Sequence, residues 1–193
     1  MPYSALQMAD AFIQAGELPD ALETLNAHLA AHADDADALR LRAALRLRLR
    51  AEADLRAGLA DLDALPDLNA DDHIQRSIIL GELGEWPAAR DAAAAARALR
   101  PADERIAERY LVTLGRCGDS ATARCLLETL PRTWRWLEWS GDLARDAGDP
   151  AAAAQHYAAA LAHLETRMDT INDALAANLK AVITLKLAGV EGR

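Results

Sequence analysis

The sequence predicts an all-α fold, a solenoid of about five helical hairpins closed by a capping helix. Three observations carry this expectation. Alanine and leucine supply most of a 52% hydrophobic content in which aromatic residues are only 4%, and small side chains in that quantity suit closely packed helices. One pattern recurs, a glycine, an acid, a variable pair and a small-residue helix start: "GELPDAL" from Gly16, "GEWPAAR" from Gly84, "GDSATAR" from Gly118 and "GDPAAAA" from Gly148. The spacing is a ruler, since Gly84 to Gly118 is 34 residues, Gly16 lies two such steps before Gly84, and Gly148 follows Gly118 after 30.

Each unit reads as a helical hairpin. The glycine ends a first helix by taking the left-handed conformation, and the acid or proline after it suits the start of a second. First helices are expected near 3–15, 36–49, 70–82, 104–116 and 135–147, with partners near 18–31, 51–64, 87–99, 120–130 and 150–164. Pro66, Pro101 and Pro131 fall where second helices end. The missing tooth of the ruler is Arg50, in "LRAEADLRA", where a helix from about Ala51 still follows. The register of that second unit is open by one or two residues. Its first helix, "LRLRAALRLRLR" at 39–50, alternates as a strand would, but its place in the ruler and its alanine and leucine content favour a helix ringed by arginines.

After the fifth hairpin, "MDTINDALAANLKAVITLKLAG" from Met168 predicts one more helix, with Ile171, Leu175, Leu179 and Val182 on one face and Gly189 at its end. Ile183 and Leu187 widen the apolar arc, which suits either a buried cap or a contact with a second copy or a partner, making a homodimer one expectation. The expected organisation is a repeat array over 1–167 and a capping helix with a short tail over 168–193.

The set resembles the tetratricopeptide-repeat (TPR) family over most of the chain. In the best copy, from Trp134 to about Arg167, Leu137 stands where the family prefers tryptophan, Gly141 is its close-packing glycine, Gly148 its turn glycine, Ala153 its small residue and Tyr157 its large aromatic. Ser140, Ala144 and Glu165 depart from the preferred leucine, tyrosine and proline. Around Gly84, Ala89 and Pro101 match while Ala93 replaces the aromatic; in the first unit Phe12, Gly16, Ala21 and Leu25 fit.

The resemblance implies a right-handed solenoid whose first helices line a concave groove for an extended peptide or a partner helix. Some members clamp a C-terminal carboxylate, and that pattern falls here on Arg40, Ala44, Gln75, Arg105 and Arg109, so three basic groups and one amide survive and one asparagine is lost. Guanidinium groups bind carboxylates by short, often bidentate bonds. Asp37, Asp71 and Glu108 are expected near the same surface, where each weakens the field.

Three of the four tryptophans lie in "TWRWLEW". At 100° per residue Trp136 and Trp139 are separated by about 60°. The resemblance places Trp136 in the core, Trp134 at the helix entrance and Trp139 beside the concave surface, within reach of Arg135 and Arg109. The expected peptide-binding groove is therefore Arg40, Gln75, Arg105, Arg109, Arg135 and Trp139, with Trp139 as an aromatic floor. Trp86 is expected to be a packing residue.

A net charge of -9 with pI near 5.0 argues against nucleic acid as a partner. The start lacks a basic stretch followed by a long apolar run, and no stretch approaches 18 uninterrupted apolar residues, so neither a signal peptide nor a membrane span is expected and the cytoplasm is the default. Cys117 and Cys125 read as reduced thiols. Only Lys180 and Lys186 are lysines, a bias that a GC-rich bacterial genome would produce. No serine lies in a nucleophile elbow, "GELGEW" lacks the lysine of a phosphate loop, and His28 with His32 lacks an evident third metal ligand. The expectation is a non-enzymatic protein-interaction module with no catalytic residue, metal or cofactor: an adaptor, co-chaperone or assembly factor for a protein or peptide partner that is acidic where it meets the arginines. A homo-oligomeric scaffold and a regulatory subunit of an enzyme complex are the alternatives.

Overall fold

The computed structural model of the chain describes residues 4–166 and 173–192. Tyr3, Met168 and Ile171, and with them the boundary expected at 167, lie outside the described residues. Eleven helices occur among the described residues: α1 (Ala5–Ala15), α2 (Leu18–Ala31), α3 (Ala36–Leu49), α4 (Glu52–Asp63), α5 (Ala70–Glu82), α6 (Trp86–Leu99), α7 (Glu104–Cys117), α8 (Ser120–Thr129), α9 (Trp134–Asp146), α10 (Pro150–Glu165) and α11 (Asp173–Glu191). The ten hairpin helices end within two residues of the expected bounds.

The turns keep the ruler. Gly16, Gly84, Gly118 and Gly148 all take positive φ, between 71° and 83°, and so does Arg50 at 59°, as the sole non-glycine to do so among the described residues. Arg50 thus holds the left-handed cap that the missing glycine would have held, and the register of the second unit follows the ruler without offset.

Two compact units are present, one ending at Gly118 and one beginning at Asp119. In the first, each helix packs on the next from α1 to α7, and the alternate helices α3, α5 and α7 also touch in sequence. Its main core gathers Ala21, Leu25, Ala43, Leu45, Leu62 and Ile79 from both members of successive hairpins. Small residues from several helices fill it, because neither helix of a hairpin can bury its stripe alone.

The strand-like alternation of α3 is resolved by charge burial. Ala38, Leu39, Ala43 and Leu45 face the core, while Arg42 and Arg46 turn inward to one carboxylate on α4, Asp61, which is 3% exposed. Arg42 binds it through Nε and Nη2 at 3.0 and 2.6 Å, and Arg46 through Nη1 at 2.7 Å. A helix with leucine and arginine around its circumference is stable here because both kinds of residue find a partner.

In the second unit α8 packs on α9, α9 on α10 and α10 on α11. Leu137, Ala153, Tyr157, Ala160 and Leu164 form its core with Ile183 and Val190 of α11. The buried seam of α11 is Ala176, Leu179, Ile183, Leu187 and Val190. Leu175 and Val182, expected on the same face as Leu179, are instead exposed, and Leu185 is 73% exposed. Lys186 accounts for this rotation, because its Nζ donates to Glu138 and Asp142 of α9, both at 2.7 Å, and brings its own side of the helix against α9.

Candidate functional site

The face of the first unit built by α3, α5 and α7 carries four of the six residues expected to bind a peptide. Their positions follow from the repeat. Gln75 and Arg109 each stand nine residues before a turn glycine, Gly84 and Gly118, and therefore occupy equivalent places on adjacent first helices; Trp139 stands nine before Gly148 in the second unit.

Arg40 of α3 is spent within the fold. Its Nε and Nη2 bind Asp72 of α5 at 2.9 and 3.0 Å, and Asp72 is 3% exposed. The same carboxylate accepts from the backbone N–H of Asn69, closing the capping box of α5. Asp72 holds the Arg40 guanidinium above its usual pKa through this hydrogen bond. Arg105, at the start of α7, is exposed, and its Nη2 lies 3.3 Å from Asp103.

Arg109 is different, being a half-buried guanidinium that donates to neutral groups. Nε donates to Ser77 Oγ at 2.9 Å and Nη2 to the Ser77 carbonyl. Burial pulls its pKa below the usual arginine value, opposed only by the charge of Glu82. Gly81 makes room for it, since a Cβ there would stand 2.5 Å from Arg109 Nη2 and 3.1 Å from the ring of Trp86. Trp86 is a packing residue as expected, with the Arg116 guanidinium 5.0 Å from its ring centre. Gln75, one repeat earlier, has its side-chain Nε2 buried without a hydrogen-bond partner. Of the acids expected nearby, Asp37 lies 3.7 Å from Arg40 and Asp71 is bound by Arg100.

In the second unit Trp136 is 2% exposed, Trp134 and Trp139 are half-buried, and among the described residues no two tryptophan rings pair. The backbone N–H of Trp134 is capped by His163 Nδ1 at 3.3 Å, which places this ring at the helix entrance. Arg135 lies over the rings of Trp134 and Trp136, 5.7 and 6.0 Å from their centres. Elsewhere His28 binds Asp35 at 2.7 Å with its ring 4.8 Å from that of His32, and among the described residues no group of three or more His, Cys, Asp or Glu side chains could hold a metal ion. No helix among the described residues is long and apolar enough to cross a membrane.

No family model matches the sequence, and no curated protein does. Solved structures do match. MamA superposes with a TM-score of 0.75 at 16% identity, over 88% of this chain and 99% of that one. YrrB, described as a TPR protein with an unusual peptide-binding site, gives 0.69 at 16% identity over 92% and 90%. TTC0263, a thermophilic TPR protein of Thermus thermophilus, gives 0.55 at 18% identity over 95% and 97%. The fold is the tetratricopeptide-repeat fold.

Within this TPR fold, the residues that sequence reasoning missed are the acids and the hydroxyl that engage the arginines: Asp61, Asp72 and Ser77. A signal for two of them was present. Arg40 to Asp72 and Ser77 to Arg109 are both 32 residues apart, two less than one TPR step, which is the separation that brings side chains of adjacent first helices together.

Proposed function

We propose that the protein is a non-enzymatic interaction module that binds an extended segment of a protein partner along the face of α3, α5 and α7, with an acidic or carbonyl group of that segment received by Gln75 and Arg109. The observation that carries this reading is the pair of donors at matching repeat positions, one buried without a partner and one cationic with neutral acceptors. Buried donors are rarely left unsatisfied, and a guanidinium binds a carboxylate more strongly than a hydroxyl. The description of YrrB as having a peptide-binding site supports a peptide as the ligand class. Arg40, held by Asp72, shapes this face, while Arg105 is available at its edge. Arg135 and Trp139 belong to the second unit and offer a contact surface of that unit in this reading, and an adaptor or assembly factor in the cytoplasm is the setting it suits.

A peptide array of acidic and neutral segments probed with the full chain tests it. Micromolar binding, roughly -8 kcal/mol, is the expected strength. Arg109→Gln should weaken acidic segments about tenfold or more and Gln75→Ala several-fold, with the helical signal unchanged. Retention of the same segments by both folded variants overturns the reading.

The exposed Leu175, Val182 and Leu185 on α11 favour a second reading, a homo-oligomer paired through that helix. A mass in solution that stays monomeric as concentration rises would sink it.

A further inference from the structure

The 34-residue ruler is broken once, and a cleft lies where it breaks. Gly118 to Gly148 is four residues short, about one helical turn, and the loss falls at the end of α8. That helix has 10 residues, against 14 in α2 and α6 and 16 in α10. Leu130 leaves it in an extended conformation and Pro131 follows. Beside the shortened helix is a cleft of about 540 Å³ lined by residues of α8, α9 and α10, within the range of sites for small organic ligands.

The lining includes both charged and apolar side chains. Arg124 and Arg132 lie on it, and neither is paired with a carboxylate among the described residues, in contrast to Arg40, Arg42, Arg46 and Arg145, which are. Two acids also line the cleft. Asp149 caps α10, accepting from Ala152 N–H at 2.9 Å, and keeps its negative charge as Glu128 does, so two carboxylates stand on the lining with the two guanidinium groups, neither of them ion-paired to Arg124 or Arg132 among the described residues. His156 is held below the usual histidine pKa, first by burial and then by the charge of Arg132, so the imidazole adds a neutral hydrogen-bonding group. Leu127, Leu143 and Ala144 supply the apolar wall.

A second, independent observation points to a ligand group. Leu127, Arg132, Ser140 and His156 also border a void of about 30 Å³ together with Trp136. Trp136 is 2% exposed, and its indole Nε1–H is buried without any acceptor. An indole can only donate, so it calls for an acceptor atom. Ser140, which borders the same void, donates its Oγ–H to the Trp136 carbonyl at 2.9 Å.

We infer that this cleft binds a small amphipathic carboxylate, its anionic head between Arg124 and Arg132 with an oxygen reaching toward Trp136, and its apolar body along Leu127 and Leu143. The site is separate from the peptide-binding face proposed above and does not depend on it.

The test titrates the full chain with 4-phenylbutyrate and with its uncharged amide, following the Trp136 Nε1–H resonance and the His156 ring signals by NMR. The acid should shift both, with a dissociation constant on the order of 0.1–1 mM for a ligand of about a dozen heavy atoms. The amide should bind about tenfold more weakly or worse, since it forfeits the charge-assisted bonds. The exposed double variant Arg124→Gln, Arg132→Gln should lose the acid while keeping its helical signal, and Arg109→Gln should bind the acid as wild type does. An unmoved Trp136 signal, equal binding of acid and amide, undiminished binding by the double variant, or capture only of a peptide-borne carboxylate would each overturn the inference.

Discussion

Gly141 of α9 lies against the ring of Tyr157 of α10 so closely that a Cβ on it would stand 2.6 Å from Cδ1 and closer still to Cε1. Tyr157 is fully buried there, and its hydroxyl donates to Asp142 at 2.8 Å. Gly141→Ala must therefore push the ring out of a packed core. The expected cost is about 1–3 kcal/mol, read as a lower midpoint in denaturant with the second unit losing amide protection first. Gly141→Ala combined with Tyr157→Leu should recover part of that loss, because the smaller side chain makes room for the methyl group.

The same tyrosine makes a pH prediction. Burial, followed by the hydrogen bond and negative charge of Asp142, holds the Tyr157 phenol above its ordinary value of 10.0. The folded state then keeps a proton that the unfolded state releases, so the contribution to stability is fully present below pH 10 and is lost as pH rises through the folded value. Alkaline unfolding should accompany ionisation of this phenol, observed as a late, cooperative tyrosinate step. Tyr157→Phe should abolish that step and leave a shallower dependence on pH.

Arg50 bears a left-handed turn without being glycine. An L-residue there costs about 1–2 kcal/mol, partly offset by the greater unfolded-state entropy of glycine. Arg50→Gly is expected to raise stability by about 0.5–1 kcal/mol, since the 3.9 Å contact of Arg50 with Glu82 is exposed and contributes little. Gly84→Ala should move the urea midpoint the other way by a similar amount.

Asp61 is the single buried carboxylate that receives Arg42 and Arg46. Removing it alone, as Asp61→Ala, leaves two half-buried cations uncompensated and should destabilise the first unit by about 3–5 kcal/mol. Replacing all three by apolar residues of similar size should cost far less. If the single and triple variants melt at the same temperature, the triad is not the electrostatic element described above.

Much of this was legible in sequence because the repeat is redundant. Each turn glycine fixes the others through the 34-residue step, so the sequence places helix ends to within two residues and puts a turn at Arg50, where φ is 59°. Gly141 and Tyr157 were likewise readable, since a helix crossing tight enough to exclude a Cβ leaves a glycine at a predictable step. The candidate site was less legible. Arg40 and Arg109 have the same residue type and nearby repeat positions, yet one meets a buried carboxylate and the other a serine, and their separation from those partners is the same.

The sequence by itself determined the secondary structure, the repeat length, the five turns and the all-α class, because these depend on periodicity and on local backbone preference. Only the tertiary structure decided which arginines are neutralised, which face of α11 is buried, and that a cleft lies beside Trp136 at the trimmed repeat. Those outcomes depend on what stands opposite a side chain one helix away, and charge pairing and burial act across space between residues whose distance along the chain does not name them.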